Sequence, residues 1–109
     1  MIRHNGIVID RKAQSITHRG ATWRPQQRRS PARMFRAISM LILGGGVSTH
    51  QLFWHVYGDC KDGGPLAGPQ IFNVCLCMWL PIFEQLQLEV RKERTAGVSF
   101  FRLVPKHVA

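Results

Sequence analysis

The sequence predicts a mainly α-helical chain: a disordered basic N-terminal arm, a helical hairpin of two apolar segments set in a membrane, and an amphipathic helix. Three observations carry that expectation. The first 36 residues hold nine basic side chains against one acid, Asp10. Two long stretches, 37–57 and 66–83, contain no Asp, Glu, Lys or Arg. After Pro81, the apolar residues recur at helical spacing. The organisation that follows is a disordered basic arm over 1–36, an apolar helical body over 37–94 and a basic tail over 95–109.

Composition sets the bounds. A chain of 109 residues supports at most one domain. Fifteen Lys and Arg face six Asp and Glu, for a net charge of +9, which implies attraction to nucleic acid, anionic lipid or an acidic protein face. Three cysteines with no C-x-x-C pair read as reduced thiols rather than a disulfide framework. Arg outnumbers Lys 11 to 4, a bias also expected of a barely selected reading frame.

Taken in order, residues 1–33 offer little to bury. Asn5-Gly6 is a turn signal and Ile7-Val8-Ile9 is only a short apolar run. Low hydrophobicity with one sign of charge does not offset an ordering cost of about 1–2 kcal/mol per residue. The alternative to disorder there is a short helix over 7–19, with Ile9, Ala13 and Ile16 on one face, and it is marginal alone. Residues 37–57 match the roughly 20 residues that span a bilayer. Their eight Leu, Ile, Val and Phe residues supply roughly −2 to −5 kcal/mol, and His50, Gln51, His55 and the triple glycine oppose insertion. Residues 58–65 form a Gly-rich turn. Pro69 and Pro81 then bracket the most apolar run, Ile71 to Leu80. The amphipathic helix is predicted over 82–94: Ile82, Phe83, Leu86 and Val90 share a face, and Arg91, Lys92 and Arg94 stand in its last turn. Gly97 stops it, and Val98 to Val104 has strand composition ended by Pro105.

The motifs that carry chemistry are incomplete. Gly44-Gly45-Gly46 lacks the third position of a dinucleotide fingerprint and the Gly-Lys-Ser/Thr of a phosphate loop. Cys60, Cys75 and Cys77 with His50 or His55 lack the two closely spaced pairs of a structural zinc site. Ser48-Thr49-His50 is only adjacency in sequence, and Asp59 and Asp62 lie in the Gly-rich turn. The sequence therefore predicts no enzyme, no metal, no cofactor and no small-molecule substrate. Translation from Met34 would make the segment to Val47 read as a secretory signal.

The candidate site is a polyanion-binding set, Arg24, Arg28, Arg29, Arg33 and Arg36. Arg presents a planar fork to phosphates, and Trp23 is placed to stack on a base or to sit among lipid headgroups. Both flanks of the apolar body are basic, which places both termini on the cytoplasmic or matrix side of a membrane. An Arg-rich, acid-poor arm also resembles a mitochondrial presequence. The functional expectation is a small membrane-associated protein without enzymatic activity, with anionic lipid as partner. The alternatives are a small basic soluble nucleic-acid-binding protein and a barely selected product without function.

Overall fold

A computed structural model describes residues 1–26 and 31–106. The N-terminal segment is an ordered sheet. Strands β1 (Ile2–His4), β2 (Ile7–Asp10), β3 (Ser15–His18) and β4 (Ala21–Trp23) pair antiparallel in sequence order. Two-residue turns, Asn5-Gly6 and Arg19-Gly20, join the outer pairs with all four residues at positive φ, the geometry that matches the twist of a hairpin. Between β2 and β3, the Asp10 carboxylate accepts the backbone N–H groups of Lys12 and Ala13 and closes the loop. Register places Ile2, Ile9, Ile16 and Trp23 in one row across the sheet. Ile7, Ile9 and Ile16 are fully buried and Trp23 nearly so. The expectation of a disordered arm is thus corrected. Alternation at period two gives each short strand one apolar face, and four strands together bury what one run of three could not.

The first apolar stretch is two helices and not one span. Helix α1 (Pro31–Leu43) ends at the triple glycine, and α2 (Thr49–Tyr57) begins at Ser48. The Ser48 hydroxyl accepts the Gln51 N–H while the Gln51 side chain accepts the Ser48 N–H, a complete capping box. The second stretch is broken as well, into a 3-10 turn over 68–70, α3 (Ile71–Met78) and α4 (Leu80–Gln85). Among the described residues no helix is long and apolar enough to cross a membrane, so the transmembrane hairpin is withdrawn.

The helix expected over 82–94 survives only as α4. Gln87 stands at φ 54°, and the chain continues as β5 (Leu88–Thr95), paired with β6 (Val98–Pro105) through an Ala96-Gly97 turn. The architecture is therefore mixed, with two antiparallel sheets and four α-helices among the described residues. One apolar cluster joins them, from Ile9 and Ile16 through Ile38, Leu41 and Leu52 to Phe83, Leu88 and Leu103. Two polar links fix the sheet to the α4–β5 junction. His18 Nδ1, nearly buried, donates to the Leu86 carbonyl at 2.6 Å, and Arg19 donates to the Gln87 side chain at 3.2 Å. A bridge between Val47 and Phe101 ties the interhelical turn to β6.

Candidate functional site

All six acids of the chain are engaged, five of them beyond the N-terminal sheet and Asp10 on β2 itself, beside Arg11 and Lys12. Glu84 pairs with Lys106, Glu89 with Arg91, Glu93 with Arg102 and Asp59 with Arg36, at 3.1 to 3.8 Å. Asp10 and Asp62 accept backbone N–H groups. Arg3, Arg11, Lys12, Arg19 and Arg24 are exposed on the sheet and its loops, and none has an ion-pair partner among the described residues. On the sheet face turned from the core, the row is Arg3, Val8, Thr17 and Thr22, with the two threonine hydroxyls 2.9 Å apart. That face carries no aromatic ring. Trp23, placed by sequence as a stacking residue, points the other way and is buried.

The predicted arginines do not form one cluster. Arg24 stands beyond β4, beside a groove shared with Trp79 and Ile82. Arg33 lies over the Tyr57 ring, 5.2 Å from its centroid, and donates to Cys60 Sγ at 3.0 Å. Arg36 faces Asp59. Arg28 and Arg29 lie outside the described residues. Burial pushes the Tyr57 phenol above its ordinary value; Arg33 partly opposes this, and Cys75 and Cys60 add to it.

Sequence reasoning missed a cavity of about 600 Å³ between the β2–β3 loop, α1 and α2. Ile9, Phe35, Met40 and Leu43 give it an apolar lining. Arg11, Arg36 and His55 stand at its margin. Ser39 also lines it; its hydroxyl is buried with no hydrogen-bond partner among the described residues. The residues come from four elements, so no local motif announced them.

The remaining motifs are structural where the geometry assigns them. A Cβ at Gly44 would stand 2.6 Å from Val47 Cγ1, which makes this glycine a close-packing position. The Ser48 hydroxyl is spent on its helix cap. Cys60 and Cys75 are half-buried and Cys77 is exposed, and burial pushes the Cys75 thiol up. Among the described residues no three His, Cys, Asp or Glu side chains gather as a metal site. Trp54 is 70% exposed while Trp79 is buried. Comparison with known proteins adds no relative: no family model, no curated protein and no solved structure matches this chain.

Proposed function

We propose that the chain is a non-enzymatic nucleic-acid-binding module that contacts the phosphate backbone through its N-terminal sheet. One observation carries this reading: the five cations of the N-terminal segment, Arg3, Arg11, Lys12, Arg19 and Arg24, are all exposed and none has an ion-pair partner among the described residues. Elsewhere among the described residues only Lys61, Lys92 and Arg94 share that state. Unpaired cations concentrated in one short segment attract a polyanion. Holding those cations on strands and tight turns also lowers the ordering cost of binding relative to a disordered arm. The face offers guanidinium groups and hydroxyls but no ring, which suits phosphate contact without base stacking and hence without sequence preference. Arg24 extends the surface toward Arg28 and Arg29 in sequence.

Salt dependence tests it. Anisotropy of a labelled single-stranded RNA should give an affinity that falls with salt by about 0.7 log units per phosphate contact. The combined Arg3→Gln, Arg11→Gln and Lys12→Gln variant should reduce that slope by about two. Replacing the acid-paired Arg91 and Arg102 should leave it unchanged. An unchanged slope in the triple variant removes the sheet as the surface. Binding to anionic vesicles without binding to RNA transfers the surface to a lipid headgroup layer.

A further inference from the structure

We propose that the cavity between the β2–β3 loop, α1 and α2 is a binding site for a small organic acid: a carboxylate or sulfonate on a compact apolar body. The size, about 600 Å³, lies within the range of small-molecule pockets. The chemistry is divided as such a ligand requires. Phe35, Met40 and Leu43 contribute an apolar lining, which disfavours a bare inorganic anion. The margin carries Arg11, Arg36 and the His55 imidazole and no Asp or Glu, which selects an anionic head over a neutral one.

Two neighbouring acids bear on the field there. Asp10 is held by the N–H groups of Lys12 and Ala13. Asp59 meets Arg36 at 3.8 Å with both side chains well exposed, a weak surface contact that a ligand acid can replace. Ser39 lines the cavity, but its hydroxyl has no accessible surface, so the contacts to the ligand head come from Arg11, Arg36 and His55. This inference shares Arg11 with the nucleic-acid reading and is separated from it by Arg36 and Met40, which line the cavity and lie outside the sheet surface.

The test uses the full chain and the fluorescent anion 8-anilino-1-naphthalenesulfonate. The expected result is saturable binding at one site per chain, displaced by decanoate but not by decanol or by inorganic sulfate. Arg36→Gln should weaken binding about tenfold, the scale of one charge-assisted hydrogen bond. Met40→Trp should fill the cavity and abolish binding, with circular dichroism confirming the fold. Non-saturable binding, equal affinity for neutral N-phenyl-1-naphthylamine, or full affinity in folded Arg36→Gln and Met40→Trp would each overturn the assignment.

Discussion

Tyr57 is the only tyrosine of the chain, so its ionisation can be followed alone. Its ring packs against Phe53 at 5.2 Å and Phe72 at 6.2 Å between centroids, with the Arg33 guanidinium over its face. Burial penalises the phenolate and raises the group above its ordinary value of 10.0, and the Arg33 charge pulls it back. The unfolded chain therefore loses this proton first as pH rises. Stability contributed by the neutral phenol is complete below about pH 10 and is lost as pH climbs from there toward the folded value. Tyrosinate absorbance should have a higher midpoint in the folded chain than in urea, and Arg33→Gln should move it higher still. A folded midpoint at or below the unfolded one would mean that Tyr57 is not packed as described. Residue roles were less legible than residue types. Trp23 lies among Arg, Pro and Gln in sequence, with no local sign of burial. Only its register opposite Ile16 turns it inward.

At the scale of elements, the Ala96-Gly97 turn carries an avoidable strain. Both residues have positive φ, Ala96 at 52° and Gly97 at 79°. That conformation costs an L-residue roughly 1–2 kcal/mol, and Asn tolerates it better than Ala. Asn5-Gly6 uses the preferred pair at the equivalent turn. Ala96→Asn should accordingly stabilise the protein by about 0.5–1 kcal/mol, and Asn5→Ala should destabilise it by a similar amount. Urea midpoints would report both, and no gain from Ala96→Asn would count against the turn. The same element shows why sequence favoured a helix over 82–94. Leu86 and Val90 are four apart, a spacing that fits one helix face and also one strand face. Leu88 between them, 2% exposed, is what decides for the strand. Ile9 and Ile16, seven apart, fit one face of a helix; they are in fact cross-strand partners around a four-residue loop. The strand from Val98 was readable, because it is fixed by residues a few positions apart; the Ser48–Gln51 capping box is equally local, but it was hidden by reading 37–57 as one span.

The scale of the whole molecule is where the charge of the N-terminal segment misled most. A net of +8 over 36 residues favours solvation, yet charge on an outer face does not prevent an inner face from being buried. The consequence is an energetic prediction about the arm that was expected to be unfolded. Ile9 and Leu41 belong to one apolar cluster, at 0% and 1% exposure. Truncating either to Ala should cost about 2–5 kcal/mol, because each leaves a cavity in the same core. In an unstructured arm Ile9→Ala would cost almost nothing. Hydrogen exchange supplies a second readout without mutation. The amides of Ile9 and Ile16 should exchange as slowly as that of Leu41, since residues that open only with the whole core share its protection. The His18–Leu86 hydrogen bond adds a specific link: it joins β3 to the start of the C-terminal hairpin across 68 residues of sequence. His18→Ala leaves the Leu86 carbonyl without its donor and should cost about 1–3 kcal/mol. It should also raise exchange in both sheets together. Fast exchange throughout residues 2–23 beside full protection in α1, combined with a neutral Ile9→Ala, would separate the sheet from the core. The surface proposed for RNA would then be a flexible arm, and its pre-organisation would no longer support the binding argument.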